Sequence, residues 1–325
     1  MDREQVAALL AGAGGYLSGE EMSRTLGVTR AAVWKEIDSL RQAGWPIQSS
    51  TRKGYLLAGP PPALSAAYIS AQLPTDSLFA GRVLVESVVD STNTRLKGMA
   101  AAGAPTGTVL IAEEQTGGRG THGRAFQSPR GAGLYLSVLL RPRLIRLEDL
   151  LTLTGWVGVA ARDGVERASG APVQIKWLND LYLNGRKLCG ILTELSFLGE
   201  SGEPDYVVAG MGVNMSQTAE TFQTLGLGDI ATSLALEGFP VEPNRLAVCL
   251  LTALDQMVRD FPDKRADYLE RYRAHCLTLG RRVSFETADG LKTGAATGVG
   301  DQFALLAEGD DGRSYTVSSG TVTML

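Results

Sequence analysis

Apolar positions near the amino terminus recur at helical spacing. Residues 2–11 read as a first helix, closed by Gly12, Gly14 and Gly15. Ser18, with Glu21 three residues on, forms a capping box that opens a second helix. Met22 and Leu26 share one face of it before Gly27 stops it. Thr29 caps a third helix that runs to about residue 43, where Gly44 follows. Its apolar stripe is Val33, Ile37 and Leu40, and its opposite face carries Arg30, Lys35 and Asp38. Residues 47–57 read as a hairpin with Arg52, Lys53 and Gly54 at its tip. Helix, helix, short turn, helix and basic hairpin make the plan of a winged helix-turn-helix. In that plan Thr29, Arg30, Ala31 and Lys35 face a major groove, and Arg52 and Lys53 reach backbone phosphate. The competing reading of residues 1–58 is a small helical bundle used for protein contact.

Pro60, Pro61 and Pro62 cannot continue a helix or a central strand, so residues 59–66 read as a stiff linker. The pattern then changes. Across residues 67–276, apolar runs at 83–88, 108–113, 134–140, 173–176, 180–183, 187–196 and 206–213 predict strands. Helical spacing predicts helices at 93–102, 147–167, 243–261 and 263–276. This is an α+β unit with a mixed or antiparallel sheet. Residues 277–325 alternate strand-like runs at 282–286, 303–307 and 315–317 with Asp/Gly turns, the pattern of a small β-barrel or sandwich.

Composition narrows the classes. The chain has 325 residues, 44% hydrophobic and 20% charged, enough apolar surface to build a core and too much for disorder. No run approaches the ~18 apolar residues of a membrane span, and the amino terminus lacks a signal-peptide layout. Cys189, Cys249 and Cys276 are too few and too scattered for a disulfide framework, which fits a cytoplasmic protein. With His122 and His275 the only histidines, and no Cys-x-x-Cys pair, a structural zinc site is excluded. The net charge is −4, yet residues 1–57 hold seven Lys/Arg against six Asp/Glu. So slight an excess predicts weak DNA binding by one copy and useful affinity from two on a two-fold site.

The chemistry concentrates in four clusters. Gly117, Gly118, Arg119, Gly120, Thr121, His122, Gly123 and Arg124 follow an apparent strand and precede Phe126. Glycines let a backbone approach a ligand closely, successive N–H groups can cradle an anion, and arginines add charge-assisted contacts. A mobile surface loop with incidental arginines explains the same residues. Lys176-Trp177-Leu178-Asn179-Asp180 puts a cation, an aromatic, an amide and an acid at one turn. Lys187 opens an apolar strand that ends at Glu194, and Gly210-Met211-Gly212-Val213-Asn214 closes another. Taken singly, each has an ordinary structural explanation.

Taken in order, they resemble the bacterial biotin–protein ligases that also act as the biotin operon repressor. The family's Gly-Arg-Gly-x-x-Gly-Arg loop, Lys-Trp-x-Asn-Asp box, Lys-x-x-Gly-Ile-Leu-x-Glu strand and Gly-x-Gly-Val-Asn strand all occur across residues 118–214, with Ser91-Thr92-Asn93 upstream. The resemblance covers essentially the whole chain. It implies a winged helix, a ligase domain like that of class II aminoacyl-tRNA synthetases, and an SH3-like barrel. It also implies an activity: biotin and ATP, with Mg²⁺, form biotinyl-5′-adenylate, whose acyl group passes to a lysine of the biotin carboxyl carrier protein of acetyl-CoA carboxylase.

By that resemblance Lys187, Arg119 and Arg124 are the catalytic charges. Ser91, Thr92, Asn93, Gln115, Arg119, Gly120, Thr121, Lys187, Gly190, Gly210 and Gly212 hold biotin. Arg124, Phe126, Lys176, Asn179, Asp180 and Asn214 face the nucleotide, with Asp180 toward the metal. Operator DNA and an adenylate-bound homodimer are the implied partners. The sequence departs from the family in three places: Phe126 replaces tryptophan, Leu178 replaces proline, and Thr121 replaces a third arginine of the repressor-type members, removing one charge from the grip on the adenylate. Three alternatives stand beside this reading: a ligase without DNA binding, a biotin sensor without ligase activity, and a lipoate-type ligase.

Overall fold

The computed structural model describes residues 3–142, 145–199 and 202–325, without the side chain of His122. The amino-terminal elements are α1 (Arg3–Gly12), α2 (Gly19–Leu26), α3 (Arg30–Gln42), β1 (Ile47–Ser50) and β2 (Gly54–Leu57). Ser18 Oγ accepts from Glu21 N at 3.0 Å and Thr29 Oγ1 from Ala32 N at 3.2 Å, so both helices start where their capping residues stand. Val6, Leu10, Met22, Val33, Ile37 and Leu40 form a separate small core. β1 and β2 pair antiparallel, Ile47 opposite Leu57 and Ser50 opposite Gly54.

The proline segment is pinned rather than free. Asn244, fully buried, donates from Nδ2 to the carbonyls of Pro61 and Ala63, each at 3.0 Å, and accepts from Ser65 N at 2.9 Å. Ser65 caps α4 (Ala66–Gln72), whose short, mixed sequence carries no clear apolar stripe. Gln72 Nε2 donates to Ala11 O at 2.8 Å, so α4 joins α1 to the rest of the chain.

The central unit contains β3 (Val83–Glu86), α5 (Thr92–Ala101), β4 (Val109–Ala112), β5 (Gly133–Leu140), α6 (Leu147–Leu150), α7 (Leu153–Ser169), β6 (Gln174–Lys176), β7 (Asp180–Leu183), β8 (Arg186–Leu198), β9 (Glu203–Asn214), α8 (Ala219–Thr224), α9 (Pro243–Asp260) and α10 (Arg265–His275). Its seven-stranded sheet has the order β3-β4-β5-β9-β8-β7-β6, parallel only between β3 and β4. α7 and α9 cover one face through Val109, Ile111, Leu136, Val138 and Ala209. On the other face Leu96 and Ala100 of α5 meet Leu110, Leu139 and Val208. This alternation is the period of two that a strand buried on both faces requires. The single helix expected over 147–167 is two. Thr152 breaks it, because its hydroxyl bonds back to Asp149 O at 2.6 Å. α8 lies in a segment to which the pattern assigned no element.

The tail forms β10 (Arg282–Thr287), β11 (Gly290–Val299), β12 (Leu305–Gly309), β13 (Ser314–Val317) and β14 (Val322–Met324). These make an antiparallel sheet of order β13-β12-β11-β10-β14, with β11 and β14 added to the three expected strands. Its buried residues Val283, Phe285, Leu305 and Val322 continue the core of the central unit. Phe303 is the joint. Its ring sits 5.2 Å from that of Tyr272, and its carbonyl accepts from Trp177 Nε1 at 2.7 Å.

Candidate functional site

α5 covers only part of its sheet face. Beyond its first residue, Gly190 and Gly212 stand opposite each other on β8 and β9 and leave the sheet bare. The ring of Phe126 lies on this floor, and a Cβ at Gly212 would collide with it. A Cβ at Gly210 would likewise strike Asn93 Oδ1. These two glycines are therefore required by close approach, not by turn geometry.

The loop before and after Phe126 folds over the floor. Gly117 N donates to Asp90 O at 2.8 Å, Phe126 N to Gly118 O at 2.9 Å and Gly120 N to Arg124 O at 2.7 Å, with one 3₁₀ turn, Thr121–Gly123, at the tip. Arg119 and Arg124 remain exposed.

Two cavities meet beneath this loop. The narrower is lined by all eleven residues expected for biotin, among them Ser91, Asn93, Gln115 and Gly120, and encloses about 40 Å³. Its polar wall is a hydrogen-bonded chain. Thr92 N donates to Gln115 Oε1 at 2.8 Å, Gln115 Nε2 to Ser128 Oγ at 2.8 Å, and Ser137 Oγ lies 2.6 Å from Asn93 Oδ1. Asn93 Nδ2 donates to Glu194 Oε2 at 2.8 Å, and Glu194 pairs with Lys97 at 2.7 Å. Burial pushes the Glu194 carboxyl up, but the hydrogen bonds from Lys97 and Asn93 outweigh it and hold it below its ordinary value.

The wider cavity, about 410 Å³, is lined by Arg124, Phe126, Lys176, Asp180, Lys187 and Asn214, together with apolar residues Phe222, Leu227 and Ile230 from α8 and the segment after it. The wider volume is of the order of a small-ligand site. The two cavities share Phe126, Asp180 and Lys187. Lys187 Nζ lies 2.7 Å from Asp180 Oδ1. Arg124, Lys176 and Lys187 against one carboxylate leave this junction positive. Burial, more than the neighbouring Lys187 and Arg124, lowers the Lys176 ammonium from its ordinary value against the opposing pull of Asp180. Burial pushes the Cys189 thiol up to about 12, so it stays protonated and inert.

Asn179, expected at the nucleotide, lines the narrow cavity instead, and its Nδ2 donates to Ile191 O at 2.7 Å. Asn214 lines the wide cavity, but Nδ2 donates to Thr232 O and Oδ1 accepts from Gln217, both at 3.0 Å. The apolar wall escaped the sequence reading. Its only signal is the spacing of Phe222, Leu225, Leu227 and Ile230 through a polar segment. Among the described residues no three His, Cys, Asp or Glu side chains gather as a metal site. No helix among them is long and apolar enough to cross a membrane.

On the amino-terminal unit Thr29, Arg30, Ala31, Lys35, Arg52 and Lys53 are all exposed. Thr29 uses its hydroxyl oxygen for the helix cap, and Lys53 Nζ sits 5.5 Å from the centre of the Tyr16 ring. Trp34, which the sequence reading did not single out, stands among them at 58% exposure.

The model of the biotin/lipoate A/B protein ligase family matches residues 85–214, and that of a helix-turn-helix domain matches residues 2–56. The chain is 33% identical over 313 residues to the bifunctional ligase/repressor BirA of Bacillus subtilis, covering 95% of each chain. To the protein of the same name from Escherichia coli it is 35% identical over 311 residues, covering 94% of this chain and 92% of that one. It is similar in structure to the biotin protein ligase from Aquifex aeolicus in complex with biotin and ATP. The TM-score is 0.63 at 27% identity, over 75% of this chain and 99% of that one.

Proposed function

The chain belongs to the family of bifunctional biotin ligase/repressors, and from that premise we propose how its residues divide the work. It is a biotin–protein ligase with a helix-turn-helix repressor domain. The observation that carries the division of labour is the pair of cavities sharing Phe126, Asp180 and Lys187. Biotin occupies the narrow cavity, where Ser91, Thr92, Asn93 and Gln115 supply polar contacts to its head group. ATP occupies the wide one, with its base against the apolar wall.

The two ligands then meet at the positive junction. A biotin carboxylate oxygen attacks the α-phosphorus, the bond to the β-phosphate oxygen breaks, and pyrophosphate leaves. Both reactants are anions, so their approach needs fixed positive charge. Lys187 supplies it at the junction, while Arg119 and Arg124 close over it with the loop and exclude water that would hydrolyse the adenylate. A carrier-protein lysine then attacks the acyl carbon, and AMP leaves. Mg²⁺ bound with the ATP phosphates would neutralise part of their charge. Among the described residues Asp180 is the only carboxylate lining either cavity and already pairs with Lys187, so it would hold such an ion only alongside phosphate and water oxygens.

Thr29, Arg30, Ala31 and Lys35 enter the major groove, and Arg52 and Lys53 hold phosphate. The adenylate-bound chain pairs as a homodimer in the cytoplasm and places two heads on a palindromic operator. Labelling of a carboxyl carrier domain with biotin or lipoate in the presence of ATP tests the ligase assignment. Labelling by biotin alone is expected, and labelling by lipoate overturns it. A band-shift assay tests the rest, since operator affinity indifferent to protein concentration and adenylate refutes the coupling.

A further inference from the structure

Glu237 lies outside both cavity linings, yet its side chain is only 9% exposed. A carboxylate so deeply placed needs partners, and among the described residues three supply them. Oε2 accepts from Asn184 Nδ2 at 2.6 Å, and Oε1 accepts from both Thr232 Oγ1 at 2.6 Å and Arg186 Nη2 at 2.5 Å. Burial pushes this carboxyl up, but the hydrogen bonds from Thr232, Asn184 and Arg186 outweigh it and hold it below its ordinary value. These partners flank Lys187 on two sides. On the first side, Asn184 and Gly185 form the tight turn between β7 and β8, both at positive φ, and Arg186 leads directly into Lys187. On the second side β9 gives Lys187 no support, because its last pair with β8 sets Val213 against Cys189. The segment after α8 takes its place. Lys187 N donates to Ile230 O at 2.8 Å, and Thr232 N donates to Lys187 O at 2.9 Å, so both backbone groups of the lysine are satisfied there. That segment lies outside every helix and strand described, and side-chain ties at the fully buried Thr232 hold it. The Thr232 carbonyl accepts from Asn214 Nδ2 at 3.0 Å, and its hydroxyl donates to Glu237. One carboxylate thus clamps the turn before Lys187 to the strip of chain beside it.

We infer that Glu237 is a positioning residue for Lys187, fixing the backbone from which the Lys187 side chain reaches the junction of the two cavities. The inference rests on Lys187 supplying the reaction charge there. A lysine ammonium stands at the end of a flexible stem, so its placement is only as good as the backbone that carries it. Loosening the turn and the strip beside it lets the ammonium drift from the reacting atoms, and a displacement of about 1 Å is enough to cost about 10²-fold in rate.

The test is single-turnover formation of biotinyl-adenylate by the full chain at saturating biotin and ATP. Glu237→Ala is expected to lose about 10²-fold in rate. Glu237→Gln should recover most of it, since its Oε1 still accepts from Thr232 and Arg186 and the exposed Asn184 amide can turn over to meet its Nε2. The decisive comparison repeats Glu237→Ala in a Lys187→Met background. With the ammonium gone there is nothing left to position, so the added substitution should cost less than about threefold there. An equal loss in both backgrounds is what a merely structural role gives, and it overturns the inference. A Glu237→Ala rate within about threefold of the wild type overturns it as well. So does a loss confined to KM for ATP with the saturated rate intact. Thr232→Val removes the hydroxyl alone, and it carries the same comparison where Glu237→Ala does not fold. A wild type that makes no adenylate from ATP is a different result, because no variant is involved, and it removes the ligase reading together with this inference.

Discussion

Replacing Lys187 by methionine keeps the length of the side chain and removes its charge. In the wild type Lys187 Nζ lies 2.7 Å from Asp180 Oδ1, the two side chains being 30% and 18% exposed. Of three cations against one carboxylate in the wide cavity, the substitution leaves two, and it frees Asp180 to face the incoming phosphate. A unit charge acting at about 4 Å with an effective dielectric constant of about 20 is worth about 4 kcal/mol, which corresponds to a rate loss of about 10³-fold. The fold should hardly notice, because a partly exposed ion pair contributes about 1 kcal/mol or less. Single-turnover formation of biotinyl-adenylate from labelled ATP measures the loss, and a thermal melt checks the fold. Adding Asp180→Asn should recover part of the activity by removing the stranded carboxylate. A Lys187→Met rate within threefold of the wild type refutes the electrostatic account of the junction.

Gly212→Ala puts a methyl group into the Phe126 ring, and overpacking of that kind costs about 1–3 kcal/mol. Steady-state kinetics should show KM rising for both biotin and ATP, because Phe126 borders both cavities. The lowered value of the Lys176 ammonium predicts that it loses its charge as pH rises through a point below that of an ordinary lysine. ATP affinity measured against pH should fall there, and Lys176→Arg should hold affinity to higher pH. Asn244→Ala leaves Ser65 N and the carbonyls of Pro61 and Ala63 without their partner. It should lower stability by about 2–3 kcal/mol and raise amide exchange in α4, while biotinylation at 25 °C persists.

Local features were the most legible in the sequence. Thr29 and Ser18 announce helix starts because their oxygens cap the helix within three residues, and Val33, Ile37 and Leu40 mark the buried stripe by spacing alone. The glycines of β8 and β9 stood out only through the family motifs, and nothing near them named Phe126 as the group that approaches. What stayed hidden depends on distance along the chain. Nothing near residue 62 says that Asn244 will bind it, and nothing near residue 217 says that Thr232 will orient two amides in series. Thr152 looks like one more helical residue until its hydroxyl turns back. β11 and β14 lack clean alternation, because β11 carries a register shift between Ala296 and Gly298 and β14 is only three residues at a sheet edge.

The shared interior has a consequence for how the molecule comes apart. One buried cluster runs from Ile69 through the sheet and its covering helices to Val322, whereas the residues around Met22 and Ile37 close on themselves. Heating should therefore reveal two cooperative units. Cutting the chain after Cys276 would not release an intact enzyme from a dispensable cap. It would strip the partner from Tyr272 and Trp177 and leave an apolar wound in the face that supports the Lys176 turn. The carboxyl-terminal strands are in this sense the last layer of the catalytic body, and their arrival completes its folding.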